Sequence, residues 1–347
     1  MTRRKFLIFA ALTATATAGL LIIGLLGADV YLHHRAERSA GVNRWGYRGP
    51  VAGGKRPGEW RVAVLGGSTV FGYGVRWDEA LPRQLEVALN RRAAGAWSVV
   101  NLGYNTEGAF AFRVNLEDFA FLDYDIVCLY EGYNDMIGDG SPNLVVVRHR
   151  SPVFRLTGYF PILPLVFREK AMALRSGDIG AAYEAQRNPP QTVFRPSVAD
   201  RTSAMALDAA ANVASSLEKQ LGHLSDEIVR PGAHDARGCA TPWTFYCDAY
   251  YRAIEYAIRN GQQVLVASQP RLASPDVDER HQSQQAELRA MIARHFGGRR
   301  DVAYLDLRNS VDLSNDQLSF DRMHLTADGN QIVAGAMTAA IDALRAR

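Results

Sequence analysis

Two apolar patterns alternate along this chain. Short, mostly apolar runs occur at 61–67 (RVAVLGG), 97–103 (WSVVNLG), 123–132 (DYDIVCLYEG), 263–269 (QVLVASQ) and 302–307 (VAYLDL). Between them, apolar residues recur at helical spacing. Leu81, Leu85 and Leu89 lie four apart within 78–93, and Tyr246, Tyr250 and Ile254 form a stripe within 243–260. Further helical stretches run over 107–121, 278–296 and 326–345. Runs that are apolar throughout read as strands buried on both faces, and strands separated by helices imply a parallel sheet. The pattern therefore predicts an α/β domain, a three-layer α/β/α arrangement around a mainly five-stranded parallel sheet. Such sheets bind ligands beyond the carboxyl ends of their strands. That directs attention to 66–74, 103–106, 131–135 and the loop after 307.

Two stretches depart from the alternation. Phe6 to Ala28 carries no charge and is long enough to cross a bilayer core of roughly 30 Å. Arg3, Arg4 and Lys5 precede it, which puts the N-terminus in the cytoplasm and the body outside. A signal-anchor helix, a cleaved secretory signal with small-residue sites at Ala14, Ala16 and Ala18, and a buried soluble helix all fit the pattern. The Arg3-Arg4 pair also resembles a twin-arginine export signal. The second departure is 136–240, a long insertion between the third and fourth strands. Its segment 152–167 (PVFRLTGYFPILPLVF) is apolar enough to lie on a bilayer, line a groove or pack into the domain, and 203–229 reads as helical. The expected organisation is an anchor or signal helix over 1–30, a linker and lead-in over 31–60, and one domain over 61–347 interrupted by the insertion. The insertion would serve as a lid or as a surface for envelope protein partners.

Charge and cysteine content narrow the partners. The chain holds 39 basic and 36 acidic residues, and outside 1–38 the two signs balance at 34 each. A neutral body argues against nucleic acid as a partner, because phosphate neutralisation needs a basic face. With 48% hydrophobic and 22% charged residues, the chain is neither disordered nor a disulfide scaffold. Cys128, in the run DIVCLY, reads as a core thiol. Cys239 and Cys247, eight apart, either pair in an oxidising compartment or stand as two free thiols. No Cys/His spacing suits a metal, and no cofactor is called for.

The candidate chemistry sits at the strand ends. Gly66-Gly67-Ser68-Thr69-Val70-Phe71-Gly72-Tyr73-Gly74 is glycine-rich, but Tyr73 stands where a P-loop needs lysine, and no dinucleotide fingerprint is present. What remains is a serine on a turn directly after a strand. Asn101-Leu102-Gly103 ends the second strand and Gly132-Tyr133-Asn134-Asp135 the third. Asp321-Arg322-Met323-His324 precedes the last helix, and an aspartate three residues before a histidine can hold the imidazole in one tautomer as a general base. Thr326 is a credible N-cap for that helix.

Taken in order, these four blocks resemble the SGNH hydrolase superfamily, also called GDSL esterases and lipases. The resemblance covers about 61–135 and 263–347 and leaves out the insertion. Gly66-Gly67-Ser68-Thr69 departs from the common Gly-Asp-Ser-Leu. Residues 43–49 (NRWGYRG) also look like the lead-in of membrane-anchored bacterial members. The resemblance implies a flavodoxin-like fold with Ser68 as nucleophile, His324 as base and Asp321 orienting it. It places the N–H groups of Ser68 and Gly103 and the amide of Asn134 in an oxyanion hole. It further implies a serine esterase, acting outside the cytoplasm on O-acyl groups of an envelope or exported glycan. O-acetyl transfer to a polysaccharide with the same triad, lipid ester hydrolysis and a non-catalytic assembly role are the competing readings.

Overall fold

The computed structural model describes residues 2–36, 41–92, 97–136, 142–176, 198–199, 202–209 and 235–346. Five strands, β1 (Trp60–Leu65), β2 (Trp97–Asn101), β3 (Ile126–Leu129), β4 (Gln263–Ala267) and β5 (Val302–Leu305), form one parallel sheet in the order β2-β1-β3-β4-β5. Among the described residues the helices around the sheet and at its approaches are α1 (Arg3–Ala36), α2 (Ser68–Phe71), α3 (Leu81–Arg92), α4 (Phe110–Asp118), α5 (Pro152–Thr157), α6 (Leu163–Ser176), α7 (Thr244–Arg259), α8 (Pro275–Phe296) and α9 (Ala327–Arg345).

The period of two along each strand divides the core between the sheet's faces. Val62, Val64, Ile126, Cys128 and Leu265 point to one face, where Leu81, Leu85 and Leu89 of α3 meet Val333, Met337 and Ile341 of α9. Ala63, Leu65, Val127, Leu129, Val264 and Val266 point to the other, against Phe112 and Leu116 of α4, Tyr250 of α7 and Leu288 of α8. Burying each of these leucines contributes about 1.5–3 kcal/mol. The predicted three-layer sandwich is therefore present. Its strand order reverses between β1 and β3, and a doubly wound sheet opens a crevice at that point.

Several boundaries fall inside the predicted ones for local reasons. β3 begins at Ile126 because Asp123 turns left-handed (φ 52°) and the Asp125 carboxylate accepts the Arg61 N–H and the Lys55 ammonium. Helix α4 begins at Phe110, not 107, because Glu107 turns inward. Its carboxylate accepts from Asn115, from the Val147 N–H and from Arg148, and the Glu107–Arg148 pair is fully buried. Arg148 also donates to the carbonyls of Leu102 and Gly46. The start of the insertion is thereby tied to the β2 loop and to the lead-in.

Helix α1 is long and apolar enough to cross a membrane, with the large apolar side chains between Phe6 and Leu26 exposed. Its 34 residues span about 51 Å, well beyond a bilayer core of roughly 30 Å. The final turns bury Asp29 and His33 against the insertion. Asp29 accepts the N–H groups of Ile162 and Leu163, and His33 Nε2 bonds the Phe160 carbonyl. Within 152–167, Phe154, Phe160 and Ile162 pack into the core while Leu156 stays exposed. Residues 202–209 are helical; the rest of the predicted 203–229 helix lies outside the described residues.

Candidate active site

Three of the singled-out side chains meet at the carboxyl edge of the sheet. β1 ends at Leu65, and after Gly66-Gly67 the chain enters the one-turn helix α2 with Ser68 as its first residue. Glycine is needed at 67: a Cβ there would lie 2.0 Å from Asn134 Nδ2 and 2.5 Å from a Glu131 carboxylate oxygen. Ser68 Oγ lies 2.8 Å from His324 Nε2, and His324 Nδ1 lies 2.6 Å from Asp321 Oδ2. An ionised carboxylate only accepts, so the imidazole proton belongs on Nδ1 and Nε2 is left to accept the Ser68 hydroxyl proton. The imidazole is almost wholly buried.

The His324 loop is self-supporting. Asp321 Oδ1 accepts the N–H groups of Met323 and His324, which lets Arg322 stand left-handed at φ 63°. Ser319 Oγ donates to the His324 carbonyl, and Thr326 caps α9 by accepting the Gly329 N–H. The rings of Tyr73 and Phe320 flank the imidazole at centroid distances of 4.8 and 5.9 Å, and Phe320 is half exposed. They form an apolar surface beside the imidazole that bonds Ser68.

The Ser68 turn is held from afar. Asn101 Nδ2 donates to the Val70 and Phe71 carbonyls, and the buried Arg48 guanidinium donates to those of Phe71, Gly72 and Val75. Burial lowers the Arg48 pKa to about 10, leaving it charged at neutral pH. The fully buried Gln269, beyond β4, donates to Thr69 Oγ1 and accepts the Tyr133 N–H, joining the turns after β1 and β3. Among the described residues no acceptor engages the Ser68 N–H.

The remaining expected donors fare differently. Asn134 stands against Gly67, with one amide hydrogen committed to the Glu107 carbonyl and the other free to point elsewhere. The Gly103 N–H, the third expected donor, donates to Asn101 Oδ1 at 3.0 Å. Glycine is required there for packing, since a Cβ would lie 2.6 Å from the Phe71 nitrogen. In the same loop Thr106 sits at φ 69°, a costly conformation for a β-branched residue, and Asn143 from the insertion bridges its carbonyl to that of Asn134.

Cys239 and Cys247 are joined in a disulfide that closes the loop leading into α7, whereas Cys128 is a buried free thiol whose pKa is pushed up by burial. Among the described residues no three His, Cys, Asp or Glu side chains converge as a metal would require.

Sequence reading gave no role to Arg48, Asn101, Glu131 or Gln269. Arg48 lies within the NRWGYRG segment, whose pattern was visible but whose partner, a carbonyl cluster more than twenty residues on, was not.

Fold and side chains together describe a doubly wound α/β protein with a Ser–His–Asp hydrogen-bonded chain at its carboxyl edge. No protein-family model matches the chain, and no curated protein matches it by sequence. Solved structures resemble it. An α/β hydrolase enzyme from the metagenome of Lake Arreo, Spain, is 14% identical, covering 85% of this chain and 98% of its own, with a TM-score of 0.44. The Clostridium thermocellum family 3 carbohydrate esterase is 12% identical over 83% of this chain and 98% of its own, with a TM-score of 0.43. A member of the lipolytic protein G-D-S-L family from Veillonella parvula is 11% identical over 82% of this chain and 98% of its own, with a TM-score of 0.42.

Proposed function

We propose that this protein is an SGNH-type serine esterase working through an acyl-enzyme. The observation that carries the reading is the unbroken chain from Ser68 Oγ through His324 to Asp321, at 2.8 and 2.6 Å. A serine hydroxyl is a poor nucleophile until a base removes its proton. Nε2 of His324 takes that proton as Oγ attacks the ester carbonyl, and Asp321 stabilises the imidazolium. The Ser68 N–H and the second Asn134 amide hydrogen receive the oxyanion. The tetrahedral intermediate collapses, and the imidazolium gives its proton to the departing alcohol. Water then attacks the acyl-enzyme, His324 accepts its proton, and the acid leaves as Ser68 recovers its hydroxyl hydrogen.

The substrate we favour is an O-acylated glycan outside the cytoplasm. Helix α1 behind a basic start supports anchoring in the inner membrane with the domain on the periplasmic side. The Cys239–Cys247 disulfide suits an oxidising compartment. The Tyr73 and Phe320 rings offer an apolar surface beside the His324 imidazole, suited to the apolar face of a sugar ring.

The test uses the full chain in detergent with an O-acetylated polysaccharide. Acetate release that disappears in Ser68→Ala is the expected result. Acetyl groups appearing on an added sugar acceptor instead of in solution would replace hydrolysis by transfer. Acetate release unchanged in Ser68→Ala would contradict the reading.

A further inference from the structure

The Ser68 N–H and the Asn134 amide follow different strands, β1 and β3, and the sheet ladder ends before either. Besides Gln269, a second side chain spans the gap. Glu131, buried at 1% exposure, accepts the Gly67 N–H on Oε2 at 2.6 Å and the N–H groups of Gly132 and Asn134 on Oε1, both at 2.9 Å. Gly67 immediately precedes Ser68, and Asn134 carries the amide. Helix α7 fixes Glu131 in turn, since the hydroxyls of Tyr246 and Tyr250 both donate to its backbone carbonyl at 2.7 Å.

We propose that Glu131 is a positioning residue whose single carboxylate sets the separation of the two oxyanion donors by clamping the nucleophile turn to the Asn134 turn. The proposal rests on the esterase reading. Three N–H donors need an acceptor-only group, and a charged acceptor strengthens each bond. A glutamine could keep the two bonds on Oε1 but would turn an NH₂ toward the Gly67 N–H. Burial raises the Glu131 pKa to about 7 against the pull of those three N–H groups, so the clamp is fully charged only above neutrality. The ionisable groups around it are Asp135, Tyr130 and Tyr133 on its own strand and turn and Tyr246 and Tyr250 from α7. Helix α8 brings the neutral Gln284 and Gln285 to Gly132, and its titratable His281 packs on the Tyr133 ring.

The test is a double-mutant cycle on the full chain in detergent, with p-nitrophenyl acetate as the probe and Ser68→Ala as the blank. Glu131→Gln should lower kcat by about 10- to 100-fold, as for a weakened oxyanion donor, with KM within about twofold. In an Asn134→Ala background the same change should cost less than about threefold, because the clamp has lost the group it positions. Wild-type kcat in Glu131→Gln, or an equal loss in both backgrounds, would overturn the proposal. Hydrogen exchange gives a readout independent of turnover. Segments 66–72 and 132–136 should both exchange faster in Glu131→Gln. In wild type they should do so as pH falls below about 7, after correction for intrinsic rates; unchanged exchange in both segments would overturn the clamp. Turnover that survives Ser68→Ala would instead sink the esterase reading and leave the exchange result to judge the clamp.

Discussion

The two ends of the Ser68–His324 bond are built on opposite plans. The His324 loop is held by its own neighbours: Asp321 binds the backbone two and three residues on, and Ser319 reaches five residues to the His324 carbonyl. The Ser68 turn is held by Arg48, Asn101, Glu131 and Gln269, drawn from the lead-in and from the ends of β2, β3 and β4. A base and its orienting carboxylate can travel as one short motif. A nucleophile that must face a base and two oxyanion donors needs the whole sheet edge to place it.

Substitutions can break this contrast, the most damaging first. Asp321→Asn should keep the loop, because an amide oxygen can still accept the two backbone N–H groups, yet its NH₂ faces Nδ1 and favours the wrong tautomer. Ester turnover should fall by about 10⁴ with unchanged circular dichroism. Near-normal turnover would show that another carboxylate orients His324. Asn134→Ala should lower kcat by roughly 10²–10³ and leave the melting temperature nearly unchanged. A silent substitution would make Asn134 a turn residue only.

Arg48→Met tests the long-range support without touching the reacting groups. Several buried carbonyls would lose a charged donor, costing about 3 kcal/mol in urea unfolding. Activity per folded molecule should fall less than in Asn134→Ala. Unchanged stability would mean that α2 does not depend on the lead-in.

The subtlest effect is a slope. Glu131 has a folded pKa of about 7 against an ordinary 4.5, so the folded state binds more protons between those values. Its contribution to stability is present below about pH 4.5 and is lost as pH rises toward 7. Urea midpoints of wild type should therefore decline relative to Glu131→Gln across that window. A wild-type advantage that grows with pH would reverse the assignment.

The same contrast explains what the sequence disclosed. Five apolar runs and the helical stripes were enough for the sheet and its layers, since burial on both faces leaves a local signature. Asp321 and His324, three apart, were legible for the same reason. Gly103 was legible as a residue, but its contacts were not: its N–H donates to Asn101, two residues away, and its missing side chain makes room for α2. Glu131 looked like the polar end of a strand. Its partners, Gly67 at 64 residues' separation and Tyr250 at 119, are brought together only by parallel crossovers. The inward turn of Glu107 was hidden likewise, because it depends on Arg148 from the insertion.

The central claim is that Ser68 is an activated nucleophile, and covalent labelling tests it most directly. The full chain in detergent would be treated with a fluorophosphonate and the modified peptide located by mass spectrometry. The account predicts one adduct, on Ser68, formed at least 10²-fold more slowly in His324→Ala and absent in Ser68→Ala. Failure of the folded wild type to label, or labelling at Ser68 that is as fast without His324, would contradict it.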